Sequence, residues 1–319
     1  MRAAVHTQFG PADVVQVVEK PVPVVRPGDV LIKVHATTVT SAECAMRRGE
    51  PLWGRVILGL RRPRTRLRTL GLEVSGTVEA VGSQVTTFRP GDEVFGFTGF
   101  AVGAHADYVR LPANGSLAPK PASLTFVEAA AAVDGATTAL FFLRDKAKVG
   151  PGHRVLINGA SGSIGTYAVQ LAKHFGATVT AVCGPSNVDL VRSLGADEVI
   201  DYTAHDFTSD LDTYDVVFDT VTKSSFSAAR RSLRAGGKYL PTTGLQNNLW
   251  ALWTALRGGK RVLVGMSVNK RAALPFISSL LESGELRVIV DRTYPLADIA
   301  AAHRYVDAGH KRGNVVVTV

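Results

Sequence analysis

The stretch INGASGSIG, residues 157–165, sets Gly159, Gly162 and Gly165 three apart, directly after the apolar run Val155-Leu156-Ile157. Glycines at this spacing suit one kind of chemistry. They let a backbone turn tightly and approach an anion, so that main-chain N–H groups can cradle phosphate oxygens. A glycine-rich turn between a strand and a helix is also common punctuation, so the flanks must decide. Behind the loop, Ile164, Ala168, Leu171 and Phe175 recur at spacings of four, three and four, one face of a helix. The start of that helix offers unsatisfied N–H groups and the positive end of its dipole. Gly162 would let the backbone approach the phosphates, Gly165 would let helix pack close on strand, and Ser163 adds a hydroxyl donor. The cradle is therefore assigned to Gly159, Ala160, Ser161, Gly162, Ser163, Ile164 and Gly165.

The elements that must hold this loop are legible on either side. From about residue 150, short apolar runs alternate with helical patterns: 155–157, 179–182, 199–200, 216–218, 238–240 and 262–264. Gly176 and Gly195 stop the first two helices, and the pattern of the third runs to Gly236-Gly237. Apolar strands alternating with helices predict a parallel sheet covered on both faces, a doubly wound dinucleotide-type domain. The first 120 residues differ. Residues 29–35, 73–81 and 92–97 alternate as strands, and the local sequence RPGD sets a turn before two of them. Short strands with Pro-Gly turns predict an antiparallel β-barrel-like domain. A final strand, 314–319, returns to it.

Composition bounds the rest. The chain has 319 residues, 46% of them apolar and 20% charged, which suits a globular protein of about two domains. No apolar run reaches the ~18 residues of a membrane span, and no contact with a membrane is expected. Two cysteines far apart, Cys44 and Cys183, suggest a reduced cytoplasmic protein. The net charge of +9 is local: residues 47–68 hold eight arginines against one acid, Glu50, a net +7. A solvated loop is the bland explanation, and an RNA-, substrate- or partner-binding loop the alternative.

The loop GxxGxxG also fits short-chain dehydrogenases, which carry it near the N-terminus and use a Tyr-x-x-x-Lys pair. Here it starts at 159, and none of the seven tyrosines has a lysine four residues later. What the chain resembles is the medium-chain dehydrogenase/reductase superfamily. The ordered motifs are GLEVSGTVEAVG (71–82), RPGDEVFGF (89–97), GAHADYV (103–109), the segment 151–179 around the glycine loop, and LGADEVIDY (194–202). The resemblance covers nearly the whole chain. It implies a Rossmann doubly wound parallel sheet inserted into a chaperonin-10 (GroES)-like β-barrel catalytic domain. The implied spans are 1–121 for the first part of the catalytic domain, 122–268 for the cofactor domain and 269–319 for the return. A nicotinamide cofactor between the domains and a homodimer are implied too.

Three departures narrow the resemblance. Zinc-dependent members have Gly-His-Glu where this chain has Gly71-Leu72-Glu73, and their catalytic cysteine aligns with Thr40. Leucine offers a metal no lone pair, and one carboxylate is short of the three protein ligands of a catalytic zinc. A zinc-free enzyme of the quinone oxidoreductase-like branch is expected. Second, an NAD site usually ends its second strand with an acid that grips the ribose, whereas TAVCGPSN (180–187) carries none. Cys183, Ser186, Asn187 and, by resemblance, Tyr202 are assigned to the adenosine end, which favours NADPH over NADH. Third, the resemblance puts Thr138 on the carboxamide, Thr220, Val221, Thr243 and Gly244 along the ribose and nicotinamide, and Asn314 against the cofactor. A zinc-free reductase would pass a hydride to a small electron acceptor, a quinone or an α,β-unsaturated carbonyl, with Thr40 as the one candidate catalytic residue. An NADPH-binding protein working through residues 47–68 is the alternative. The eight histidines show no ligand spacing, and His105, Trp250 and Trp253 are expected to be structural.

Overall fold

The computed structural model describes every residue except Thr243, together with every side chain except those of Phe100 and Leu245. The chain divides into two compact units. One comprises Met1–Asp134, Val268–Glu282 and Val288–Val319; the other comprises Gly135–Ser267 and Ser283–Arg287.

The second unit contains six parallel strands in the order Glu198–Asp201, Thr178–Cys183, Arg154–Asn158, Tyr214–Asp219, Leu233–Pro241, Arg261–Val262. Val155, Leu156 and Ile157 are wholly buried, as a strand covered on both faces requires. The order reverses at Arg154–Asn158, the first strand of this sheet and the one that feeds the glycine loop. Doubly wound sheets bind ligands outside the carboxyl ends of their strands at such a reversal. Two details depart from the sequence expectation. Gly236-Gly237 does not end a helix: the helix there is a single turn, Phe226–Ala229, and both glycines lie inside Leu233–Pro241. The last strand shortens to Arg261–Val262.

The first unit is built around Asp29–Thr38, which pairs antiparallel with Glu73–Val81, Tyr108–Pro112 and Asn314–Thr318. The sheet continues from Glu73–Val81 through Glu93–Phe97 to Ser116–Pro119, and Val290–Pro295 joins Asn314–Thr318 in parallel. The predicted terminal strand and its return to the first unit are thus present. Both RPGD sequences form turns, by N–H bonds from Asp29 to Arg26 O at 3.0 Å and from Asp92 to Arg89 O at 3.2 Å. Only the second needs its glycine in the left-handed region, with Gly91 at φ +93°.

The first boundary lies at Asp134/Gly135 rather than at 121/122. The helix Phe126–Ala131, opened by a Thr125/Glu128 capping box, buries Ala130 and Ala131 with Ala36 and Val316 of the first unit. The helical stretch Phe126–Ala147 is long and apolar enough to cross a membrane. Most of it is buried inside the protein, as a core helix would be.

Candidate functional site

In the second unit the strand Arg154–Asn158 ends on a glycine turn and the helix Ser163–His174 begins. The N–H groups of Gly159 and Ala160 donate to Val182 O, at 3.1 and 3.0 Å, which ties the loop to the next strand. Gly159 sits at φ +81°, and a Cβ there would lie 2.4 Å from Val221 Cγ1. A Cβ on Gly165 would lie 2.1 Å from Gly159 O and 2.7 Å from Ala160 Cα. Both glycines are therefore required by packing. Gly162 is different. It caps the helix at φ −80° and ψ 177° without a side-chain bond, and a Cβ on it would meet one atom, Gly159 O at 3.3 Å. A side chain there asks only a few tenths of an ångström of the Gly159 carbonyl, far less than at Gly159 or Gly165, and the glycine keeps room in front of the helix N-terminus.

Residues expected at the adenosine end lie beside this loop. Asn187 Nδ2 donates to Ser161 Oγ at 3.2 Å, while Asn187 Oδ1 is buried without a partner. Either end of this amide can bond the Ser161 hydroxyl, and the other end then waits for a partner. Tyr202 N–H donates to Cys183 O at 3.2 Å, and its ring lies over Gly184, where a Cβ would meet Tyr202 Cε1 at 3.5 Å. Tyr202 and Ser186 are exposed, and burial, then the Asp201 charge, pushes the buried Cys183 thiol up to about 11. Asp201 supplies an acid one strand away, which sequence reasoning passed over. Its carboxylate accepts from Thr203 N at 2.9 Å and Thr203 Oγ1 at 2.8 Å, so it closes its own turn.

Thr138 lies on the helix Asp134–Leu140, one turn beyond Gly135. A Cβ on Gly135 would fall 2.8 Å from Ser163 Oγ, so this helix packs directly on the start of Ser163–His174. Thr220 is less available than the sequence implied: its hydroxyl lies 2.8 Å from Asn158 O and 3.2 Å from Gly159 O. It ties two strand ends together. Val221 is 41% exposed, and Gly244, at φ +108°, precedes the helix Leu245–Arg257. Thr243 lies outside the described residues. The organising side chain here is one the sequence reading missed. Asp219 is wholly buried and accepts from Asn158 Nδ2 at 3.0 Å, Tyr239 Oη at 3.0 Å, Ser224 N at 3.1 Å and Val221 N at 3.3 Å. An acid ending the run Val216-Val217-Phe218 was the available signal.

In the first unit the nominated Thr40 is a helix cap. Its hydroxyl accepts from Glu43 N at 3.2 Å and donates to Glu43 Oε2 at 2.8 Å, a full capping box. The other Glu43 oxygen accepts from Gly71 N at 2.9 Å and Leu72 N at 3.0 Å. Asn314 opens its strand and donates through its backbone and its Nδ2 to Ile289 O, at 3.0 and 3.1 Å. His105 is structural, with Nε2 donating to Thr38 O at 2.8 Å.

A buried charge network surrounds Glu73. It accepts from the Thr38 hydroxyl and from Asp134 N–H at 2.5 Å, and burial, with the Asp134 charge next, pushes it up to about 8. Asp134 pairs with the wholly buried Lys270 at 2.6 Å, and that ammonium lies 4.6 Å from the Phe97 ring centre. Lys311, its ammonium turned to Gly313 O at 2.7 Å, is lowered by desolvation to about 8, Glu73 pulling the other way. Leucine stands at 72, Thr40 is committed to Glu43, and no cluster of three His, Cys, Asp or Glu occurs among the described residues.

Comparison with known proteins agrees with the geometry. Residues 26–122 match the family model described as alcohol dehydrogenase GroES-like domain, and residues 194–317 match that described as zinc-binding dehydrogenase. A mitochondrial NAD(P)H oxidoreductase of Mus musculus is 34% identical, over 92% of this chain and 82% of its own length. A 2-methylene-furan-3-one reductase of Solanum lycopersicum is 31% identical, over 99% and 79%. The solved quinone oxidoreductase of Coxiella burnetii superposes with a TM-score of 0.90 at 29% identity, over 100% of this chain and 99% of that one.

Proposed function

The chain belongs to the medium-chain dehydrogenase/reductase superfamily, in its quinone oxidoreductase branch, and from that premise we propose that it uses NADPH, without zinc, to reduce a quinone or an α,β-unsaturated carbonyl compound. Its place among NAD(P)H-dependent oxidoreductases comes with the family. The cofactor preference, the acceptor and the absence of zinc are the proposal.

The observation that carries it is Gly162, whose Cβ would crowd a single atom, at the mouth of a helix N-terminus where the strand order reverses. The first-turn N–H groups and the dipole of Ser163–His174 would hold the pyrophosphate. The unpaired end of the Asn187 amide would take an adenosine ribose hydroxyl, with Ser186 and Tyr202 beside the 2′-phosphate. No carboxylate stands at Cys183-Gly184 to repel that phosphate. Thr138, Val221, Gly244 and Thr243 are assigned to the nicotinamide end, and Asn314 to a supporting position. When bound, NADPH supplies a hydride from its nicotinamide ring. A quinone or enone delocalises the resulting negative charge onto oxygen and so needs no metal to polarise it; positioning supplies the catalysis. With Thr40 engaged by Glu43, the proton is assigned to water. Two buried free cysteines suit a reducing compartment, and the cytoplasm is the one proposed.

The test is loss of reduced-nicotinamide absorbance against a panel of quinones, enones and aldehydes, with NADPH and NADH in parallel, for the wild type and Gly162→Ala. Turnover of a quinone or enone with NADPH is expected. The G162A variant should stay folded, with a melting temperature lowered by at most a few degrees, and raise the NADPH KM by about tenfold, roughly 1.4 kcal/mol of lost binding. A folded protein silent with every acceptor and both cofactors would sink the proposal. An unchanged KM in G162A would remove the cradle from it.

A further inference from the structure

None of the residues assigned to the cofactor lies in the arginine-rich segment, and the structure divides its eight arginines into two sets. Arg47 and Arg48 pair with Asp307, Arg55 lies over the Phe9 ring at 4.9 Å, and Arg68 is half-buried. These four hold the fold. Arg61, Arg62, Arg64 and Arg66 are exposed. Beside them the chain exposes Leu52, Trp53, Val56, Ile57 and Leu60, each between 55% and 72%. The segment is firmly seated all the same. Leu58 and Leu67 are buried with Val102, packed against Phe9, Met46 and Leu72, and Arg64 N–H donates to Leu58 O at 2.8 Å. A loop held by its own buried leucines thus turns five large apolar side chains outward with the guanidinium groups of Arg61, Arg62 and Arg66, while that of the exposed Arg64 donates to Val56 O at 3.0 Å. Apolar surface of this extent, edged by charge, marks an interaction site.

We propose that this loop docks the protein on an anionic lipid membrane. The aliphatic side chains would enter the headgroup and acyl boundary, with the arginines on lipid phosphates and Trp53 at the interface. Charge and side-chain chemistry select this occupant. The one acid of the segment, Glu50, is already paired with Arg48 at 2.8 Å, so the outward charge is uniformly positive. RNA would match that charge, but single strands bind by stacking on aromatic rings, and Trp53 is the only one among the five. Leucine, valine and isoleucine gain from an apolar layer lying under negative charge, which is what an anionic bilayer presents. No membrane span is involved: the contact is peripheral, and it departs from the sequence expectation of no membrane contact, which rested on the lack of a span and took no account of an exposed apolar patch.

The inference is independent of the cofactor and is tested without it. Full-length protein is sedimented with vesicles of phosphatidylcholine alone and of phosphatidylcholine with phosphatidylserine. Binding is expected to the second and not the first, and to fall steeply with added salt. R61S/R62S/R66S and W53S/I57S should each reduce partitioning by about tenfold or more, at an unchanged melting temperature. Brominated lipid should quench wild-type tryptophan fluorescence but not that of Trp53→Phe, a readout that needs no loss of binding. Absence of binding, equal binding to both vesicle types, or binding that survives both multiple variants would overturn the proposal. So would capture of single-stranded RNA in preference to the anionic vesicles.

Discussion

Glu73 is the residue where burial and charge conflict most. Thr38, Asp134 and Glu43 face it, the Lys311 ammonium attracts it, and the Lys270 ammonium is paired with Asp134. Its pKa rises from 4.5 to about 8 on folding, so the folded chain holds the extra proton between those values. The stability Glu73 contributes is therefore complete below 4.5 and is lost as pH rises through 8. His303 acts in the opposite direction. Burial, then the charges of His105 and Arg47, lowers it from 6.5 to about 2, so its contribution is complete above 6.5 and fades as pH falls towards 2. Each pH unit across such a gap is worth at most about 1.4 kcal/mol. Thermal melts between about pH 4 and 9 should decline at both ends. Glu73→Gln, which keeps an acceptor for Asp134 N–H, should flatten the alkaline decline and leave the acid one. An alkaline limb unchanged in E73Q would show that Glu73 is ionised in the fold. The sequence displayed Glu73 as an orphan of a lost metal motif. It could not display Asp134, 61 residues away, or the Lys270 that pairs with it, because such distant partners meet only through sheet pairing and helix packing.

At the scale of elements, what alternates was legible and what interrupts was not. The strands Arg154–Asn158, Thr178–Cys183 and Tyr214–Asp219 came directly from apolar runs between glycine stops. Gly236-Gly237 misled because glycines inside a strand look the same, in sequence, as glycines after a helix. The boundary at Asp134/Gly135 was hidden by an alanine-rich helical stretch that serves the first unit's core with its early turns, and the lone Gly135 where its contacts change reads as a tolerated helix glycine. The end of Thr178–Cys183 is where an element's chemistry becomes a cofactor preference. Gly184 has an ordinary φ of −78°, and its Cβ would touch Tyr202 only at van der Waals distance, so a side chain fits. Gly184→Asp should lower kcat/KM with NADPH by about tenfold or more through repulsion of the 2′-phosphate, while NADH turnover holds or improves. Equal loss with both cofactors would mean that this strand end does not face the adenosine ribose.

For the whole molecule, the distribution of charge over exposed apolar surface separates two kinds of association. The helix Leu245–Arg257 turns Trp250 inward, its ring centre 5.4 Å from that of Phe226, against the sheet core. Leu249, Leu252 and Leu256, at 73%, 63% and 80% exposed, stand on one outward face. Arg257 is the only charge on that helix, and its guanidinium lies 4.7 Å from the Trp253 ring centre. A nearly neutral leucine face suits a second copy of itself, whereas the leucines and isoleucine among residues 50–66 are edged by four exposed arginines and suit a negative surface. Salt tells the two apart. A chain of net charge +9 repels its own copy, and screening relieves that repulsion, so a dimer held by the leucine face should persist or tighten as salt rises. Lipid binding through the arginines should weaken over the same range. Light scattering after gel filtration, at low and high salt, is expected to give a dimer at both. Leu252→Glu with Leu256→Glu should give a monomer that still binds NADPH and anionic vesicles. A monomer for the wild type, or a dimer that dissociates with salt, would assign self-association to a charged surface or to none.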